Sequence, residues 1–153
     1  MALASAPAPA PVGAVILLDT SVLSALMQRE PDRTAVAWLD ERPSESIWTT
    51  SITVFEVRMG LELLGESRRR AHLEREWERL LAEELDGRVQ LFDRAAANAA
   101  GAIAASRRRA GRTVEIRDVQ IAGVANARRA TLATRNVRHF EGLGVRLVNP
   151  WQR

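Results

Sequence analysis

The sequence predicts an α/β domain, a three-layer sandwich in which helices cover both faces of a mainly parallel five-stranded sheet. Short apolar runs of strand length alternate with longer segments whose apolar residues recur at helical spacing. The chain of 153 residues is long enough for one domain and too short for two ordinary ones. It contains no cysteine, and a domain of this size buries enough surface to fold without disulfides.

The first half of the domain alternates strand and helix. The predicted elements are a strand over 14–18, a helix beginning at Asp19-Thr20-Ser21, a helix capped by Asp32, a strand over 47–49 and a helix capped by Thr50 and Ser51. Pro31 ends the first helix, because proline cannot continue the hydrogen-bond ladder. The unbroken apolar run over 14–18 is typical of a strand that is buried on both faces.

The second half continues the alternation. The predicted elements are a long helix over 67–85, a turn at Asp86-Gly87, a strand over 89–92, an alanine-rich helix from Asp93 to about Arg109, a helix opened by Asp118, and strands over 130–134 and 145–148. Strands joined by helices pair in parallel through right-handed crossovers. In such a sheet, ligands bind beyond the carboxyl ends of the strands.

The first 13 residues, MALASAPAPAPVG, contain much alanine and proline and no charged side chain. A secretory signal has a basic start and a longer apolar run, and the apolar run over 14–18 is far too short to span a membrane. We therefore expect a disordered tail over 1–13, or a start codon placed too early. The domain is expected over 14–153, in a cytoplasmic protein without a membrane anchor.

All 22 basic side chains are arginines, and the net charge is +3. This charge permits RNA binding without requiring it. The arginines cluster at 68–70, at 107–109 together with Arg112, and at 128–129. Alternatively, each cluster could belong to an ordinary solvent-exposed surface of a helix. The second cluster lies just upstream of Asp118, where arginine could hold phosphates along the approach to a site.

Three carboxylates lie in strongly apolar surroundings: Asp19 in VILLDTS, Glu56 in SITVFEVRMG and Asp118 in VEIRDVQIAG. An unpaired carboxylate there carries a desolvation cost that a divalent cation would offset. Mg²⁺ and Mn²⁺ favour oxygen ligands and keep several waters, so a few carboxylates and substrate phosphate oxygens suffice for a site. Such a site hydrolyses a phosphodiester without a serine or cysteine nucleophile.

Each acid also has a simpler interpretation. Asp19 and Asp118 could be helix N-caps, and Glu56 could lie on the polar side of its helix near Arg58 or Gly60. Two further acids, Asp32 and Asp93, are better explained as caps than as ligands. The hypothesis of a metal site therefore depends on three distant acids converging at one edge of the sheet.

Other chemistries lack their motifs in this chain. There is no Walker A sequence, no GxGxxG after the first strand and no nucleophile elbow for a serine triad. Ser21 stands where an aspartyl-phosphate phosphatase carries a second aspartate. The two histidines, His72 and His139, are far apart in the sequence and in different settings.

At these residues the chain resembles the PIN-domain ribonucleases, and among them the VapC toxins of bacterial toxin–antitoxin pairs, within the FitB-like branch. The matching segments are LLDTSVLSALM at 17–27, TTSITVFEVRMGL at 49–61, RDVQIAGVA at 117–125, LATRNVRHFEGLGV at 132–145 and VNPW at 148–151. Their order and spacing agree over nearly the whole chain, and only the proline-rich tail falls outside the resemblance.

The resemblance implies an endoribonuclease that depends on Mg²⁺ or Mn²⁺ and inhibits translation and growth. Its metal-binding and catalytic acids fall on Asp19, Glu56 and Asp118. Family members often carry a fourth acid where this chain has Asn136, which supplies an amide oxygen but no charge. This difference weakens a second metal site and favours a mechanism with a single metal ion, in which Asn136 assists.

The remaining expectations concern RNA and protein partners. Thr20 and Thr134 are hydroxyl residues beside the acids and are candidates to orient them or to bind substrate, with helix capping and strand-end bonding as the alternative. Arg112 and Arg135 are candidate phosphate contacts. The resemblance further implies a tRNA or rRNA substrate, a VapB-like antitoxin and a homodimer. The alternatives are a PIN nuclease of RNA maturation and an inactive PIN fold that only binds RNA or protein.

Overall fold

The computed structural model describes residues 15–152, and in this range five strands form one all-parallel sheet. The strands are β1 (Ile16–Leu18), β2 (Ile47–Thr50), β3 (Val89–Gln90), β4 (Thr131–Ala133) and β5 (Arg146–Val148). Their spatial order is β3-β2-β1-β4-β5. The predicted fold class is confirmed, whereas the tail predicted over 1–13 lies outside the described residues.

Seven α-helices of the described range connect or follow these strands. They are α1 (Thr20–Met27), α2 (Arg33–Asp40), α3 (Ser51–Leu63), α4 (Arg68–Arg79), α5 (Arg94–Arg109), α6 (Ile116–Arg128) and α7 (Val137–Phe140). A 3₁₀ turn precedes β2 at Ser44–Ser46, and a π-helical turn extends α4 over Leu80–Glu84. From residue 15 to residue 152, no helix is both long enough and apolar enough to cross a bilayer.

Two apolar clusters lie on opposite faces of the sheet. Successive side chains of a strand point to opposite faces, so Leu18 packs with α1 to α4 while Leu17 packs with α5 and α6. Trp77 of α4 is fully buried on the first face, and Leu132 of β4 is fully buried on the second. The sheet is therefore the middle layer of a three-layer sandwich.

The predicted caps are confirmed at three helices. The Asp32 carboxylate accepts hydrogen bonds from two backbone N–H groups of α2, those of Thr34 and Ala35. The Thr50 hydroxyl caps α3, and the Asp93 carboxylate caps α5. Each bond satisfies a donor that the first turn of a helix leaves without a partner.

Besides shifts of one or two residues at the ends of the other strands, three differences from the prediction are found. β3 ends at Gln90 rather than at residue 92, because the Phe92 N–H donates to the Ser51 hydroxyl instead of to a neighbouring strand. α6 begins at Ile116, with Glu115 at its N-cap position, so Asp118 lies inside the first turn and does not open the helix. The four-residue helix α7 was not predicted, since one turn is too short to show a periodic pattern.

Helices α5 and α6 approach each other closely at Gly123. A Cβ atom at this position would lie 2.6 Å from the Ala96 carbonyl oxygen and 2.7 Å from the Ala100 Cβ. The alanine-rich sequence of α5 provides small side chains on the facing surface, which is what such a close approach requires. This contact holds α6, which carries Asp118 about one and a half turns upstream, against α5.

Candidate functional site

The register of the sheet places the ends of β1 and β4 side by side. Leu18 pairs with Ala133, and the Asp19 N–H donates to the Ala133 carbonyl at 2.9 Å. Asp19 and Thr134, which follow these strands, are therefore neighbours. β2 and β3 lie on one side of β1 and the later strands on the other, so this edge is the topological switch point, where parallel sheets bind ligands.

Asp19 is buried, with 7% of its surface exposed. It occupies the N-cap position of α1, but its side chain makes no capping hydrogen bond. Its Oδ2 instead accepts hydrogen bonds from the Thr134 hydroxyl at 2.8 Å and the Ser21 hydroxyl at 3.4 Å. Burial raises the pKa of Asp19, and the bond from Thr134 opposes that rise. The capping interpretation therefore does not explain this carboxylate.

Glu56 of α3 faces Asp19 rather than the polar surface of its helix. The Thr20 hydroxyl donates to Glu56 Oε1 at 3.2 Å, which joins α1 to α3 at this point. Partial burial raises the pKa of Glu56, and the negative charge of Asp19 raises it further. Arg58, the partner in the simpler interpretation, pairs with Glu62 and Glu74 instead.

Asp118 lies in the first turn of α6, and 17% of its side chain is exposed. Its Oδ2 is 3.6 Å from Nδ1 of His139. Burial raises the pKa of Asp118; the nearby His139 opposes the rise, and the charges of Glu115 and Asp19 add to it. Three carboxylates from three different elements thus influence one another electrostatically.

One cavity of about 440 Å³ collects these side chains. Its lining residues are Asp19, Thr20, Ser21, Ser24, Glu56, Glu115, Arg117, Asp118, Asn136, His139 and Phe140. Four of them are carboxylic acids and one is an arginine, so the cavity attracts cations when the acids are ionised. The structure therefore brings the three predicted acids and Asn136 to one place, while their chemical roles stay predictions.

The other predicted residues are distributed unevenly around this cavity. Thr134 is fully buried and accepts a hydrogen bond from the Asn136 N–H at 3.0 Å. The Arg135 guanidinium lies over the Trp151 ring, 4.5 Å from its centroid. Arg112 follows the end of α5 and does not line the cavity. Neither arginine touches the acids, and their roles in RNA binding stay predictions.

Three side chains of the site were missed by the sequence reasoning. Arg117 lies at the cavity mouth, with Nη1 3.6 Å from Glu56 Oε2 and Nε 3.9 Å from Glu115 Oε1. Its position next to Asp118 in the sequence could have indicated that it belongs to the site. Ser21 donates to Asp19 and accepts from the Arg135 N–H at 3.0 Å. His139 gave no signal, because it lies on the short helix that the pattern did not reveal.

The donor set fits a hard divalent cation that keeps most of its waters. Between residues 15 and 152, no three His, Asp or Glu side chains are close enough together to ligate one ion. The acids influence one another at longer range instead: the charge of Asp19 raises the pKa of both Glu56 and Asp118. Mg²⁺ commonly takes one or two carboxylates, with water and substrate oxygens completing its shell. Burial raises the pKa of all three acids, because it disfavours their charged form. A bound cation would offset this cost of burying negative charge.

Comparisons with known proteins agree with the observed fold. Residues 16–144 match the PIN domain family. The chain is 35% identical to the VapC ribonuclease Y4jK of Sinorhizobium fredii over 138 residues, and 32% identical to the toxin FitB of Neisseria gonorrhoeae over 137 residues. Each alignment covers 90% of this chain and 99% of the relative. The crystal structure of FitAcB from Neisseria gonorrhoeae matches with a TM-score of 0.80 at 32% identity, over 91% of this chain and 100% of that chain.

Proposed function

Because the chain belongs to the PIN-domain family, in the group that includes VapC ribonucleases and the toxin FitB, we propose that it is a metal-dependent endoribonuclease and the toxin of a toxin–antitoxin pair. The observation that carries this proposal is the meeting of Asp19, Glu56 and Asp118 at one cavity. All three carboxyl groups have raised pKa values, which is common where acids are arranged for catalysis or ion binding.

The chain's own residues would hold the cation and position water. Asp19, Asp118 and Glu56 are its proposed ligands, one or two of them directly and the others through bound water, as their separation requires. When bound, Mg²⁺ or Mn²⁺ lowers the pKa of a water molecule and offsets negative charge on the scissile phosphate. Thr134 and Ser21 fix the orientation of the Asp19 carboxylate through their hydroxyl groups. Glu56, whose pKa is raised, is suited to accept the proton of the attacking water.

The arginines around the cavity are proposed to contact the RNA backbone. Arg117 is 38% exposed at the cavity mouth and is only loosely paired with Glu56, so it can turn toward a phosphate. Arg112 and Arg135 lie farther from the acids and are proposed to contact phosphates away from the scissile one. Such contacts strengthen binding without selecting a base sequence.

A protein partner is part of the same proposal. The matching structures from Neisseria gonorrhoeae and Salmonella typhimurium are FitAcB and DNA-bound VapBC. By analogy, we expect this chain to bind a VapB-like antitoxin in the cytoplasm and to form a homodimer. An arginine of that antitoxin would suit the cavity, because four acids and one arginine line it.

A second candidate function is that of a PIN fold that binds RNA or protein without cutting it. One observation favours it: Asn136 lines the cavity where a fourth acid would otherwise contribute charge. An amide oxygen still coordinates or holds water, but it attracts a cation less strongly than a carboxylate does.

Cleavage of total tRNA by the purified full chain distinguishes these functions. We expect cleavage with Mn²⁺, none with EDTA, and recovery when Mn²⁺ is added back. Asp93→Asn is the control for loss of an acid outside the cavity, because Asp93 caps α5 and pairs with Arg128. This variant should cleave RNA like the wild type. RNA that is bound but never cut would support the binding module, and cleavage in EDTA would refute metal dependence.

A further inference from the structure

His139 is placed against Asp118 without being hydrogen-bonded to it. The distance of 3.6 Å between His139 Nδ1 and Asp118 Oδ2 is too long for a hydrogen bond. Within residues 15–152 the imidazole makes no side-chain hydrogen bond, and Asp118 is the one acid within 4 Å of its nitrogens, while Asp19 acts on it at longer range. A neutral imidazole with this environment keeps a free lone pair at the cavity.

The separation of these two atoms is suited to a shared ion. Neighbouring ligands of one ion, each bound at roughly 2.0–2.2 Å, stand roughly 3.0–3.6 Å apart. The measured distance falls at the upper end of that range. Asp118 and His139 therefore approach as two adjacent ligands would, without a direct bond between them.

The backbone holds His139 at this position. The next residue, Phe140, is 2% exposed and packs in the apolar cluster of α5 and α6. The His139 N–H donates to the Asn136 carbonyl at 3.1 Å, which closes the single turn of α7. With Phe140 anchored in the core and α7 closed, the imidazole is left 63% exposed beside the cavity.

We propose that His139 ligates the same cation as Asp118, so that the site prefers Mn²⁺ and other first-row transition ions over Mg²⁺. The inference rests on the proposed metal dependence and extends it to an additional ligand. Mg²⁺ strongly favours oxygen, whereas imidazole nitrogen suits transition ions. Since Asn136 contributes no charge, His139 supplies the additional donor that strengthens the site.

Pulsed electron paramagnetic resonance of Mn²⁺ bound to the full chain tests this proposal without measuring activity. We expect ¹⁴N hyperfine coupling from a directly bound imidazole in the wild type and none in His139→Ala. The chain has one other histidine, His72 on α4, so His72→Ala is the matched control and should keep the coupling. Because His139 is largely exposed, its replacement should leave the fold intact, which circular dichroism checks.

Calorimetric titration gives the second readout. In His139→Ala, the Kd for Mn²⁺ should rise by about 10–100-fold, and the Kd for Mg²⁺ by less than about 3-fold. His139→Asp, which supplies oxygen, should recover binding and gain affinity for Mg²⁺. Mn²⁺ binding to the wild type without ¹⁴N coupling, or coupling that disappears in His72→Ala, would overturn the assignment of His139 while leaving the metal-dependent nuclease in place. Failure of the wild type to bind Mn²⁺ at all would overturn both.

Discussion

Asp19→Asn is expected to abolish RNA cleavage and growth inhibition while it raises the thermal stability of the metal-free protein. The amide still accepts the hydrogen bond from Thr134, so the local geometry is kept. It has no negative charge to bind a cation, and we expect activity to fall on the order of 10³-fold or more. It also removes the cost of burying a charge, which is the main reason that the pKa of Asp19 is raised.

The stability gain has a defined pH dependence. Because the folded protein raises the pKa of Asp19, it keeps the proton in a pH interval where the unfolded chain has released it. The contribution to stability is fully present below the unfolded pKa of about 3.9, and it is lost as the pH rises through the folded pKa. Asp19→Asn should therefore be more stable than the wild type near neutral pH and equally stable in strong acid.

Calorimetry in EDTA measures this effect. Near neutral pH, a gain on the order of 1 kcal/mol would raise the Tm by about 2–4 °C for a domain of this size. Asp32→Asn is the matched control: hydrogen bonds from the backbone of α2 lower the pKa of Asp32, so loss of its charge should give no gain. A lower Tm for Asp19→Asn than for the wild type would contradict the cost of burying the Asp19 charge, and full toxicity in cells would contradict the assignment of Asp19 as a metal ligand.

Gly123→Ala should destabilise the protein strongly, although it adds a single methyl group. The new Cβ would lie 2.6 Å from the Ala96 carbonyl oxygen and 2.9 Å from the Ala100 nitrogen, which are backbone atoms that cannot move without separating α5 from α6. Overpacking of this kind costs about 1–3 kcal/mol. Since α6 carries Asp118, the folded fraction of Gly123→Ala should also cleave RNA more slowly than the wild type.

Gly101→Ala is the matched control for this prediction. Gly101 lies on α5 itself, is exposed, and its added Cβ would meet no atom within 4 Å apart from the backbone of its own helix. Replacing glycine by alanine inside a helix stabilises it by about 0.5–1 kcal/mol. In urea denaturation, the free energy of unfolding should therefore fall in Gly123→Ala and rise in Gly101→Ala, relative to the wild type. Equal stability of Gly123→Ala and the wild type would mean that the two helices are not in close contact.

The main features of the fold were predictable because they depend on local patterns. Apolar runs of strand length alternated with capped helices, and the caps at Asp32, Thr50 and Asp93 are observed. Alternation implies a parallel sheet, and a parallel sheet collects residues such as Asp19 at its carboxyl edge. The convergence of the acids follows from that topology and from burial, so it could be expected before any distance was known.

The parts that were not predicted depend on contacts between distant residues. His139 reaches Asp118 through a four-residue helix that is too short to leave a periodic signal. The Arg135 side chain lies over Trp151, and a preference between an aromatic ring and a phosphate is not visible in composition. The fit of Gly123 against α5 likewise depends on packing and not on the local sequence.

Anomalous diffraction from crystals of the full chain soaked in Mn²⁺ tests most directly whether the acids share an ion. We predict a manganese peak inside the cavity, within roughly 2.0–2.4 Å of a carboxylate oxygen of Asp19 or Asp118. Asp19→Asn crystals should show a much weaker peak at the same place. A manganese peak found only elsewhere on the protein, or none in a cavity open to solvent, would contradict the account.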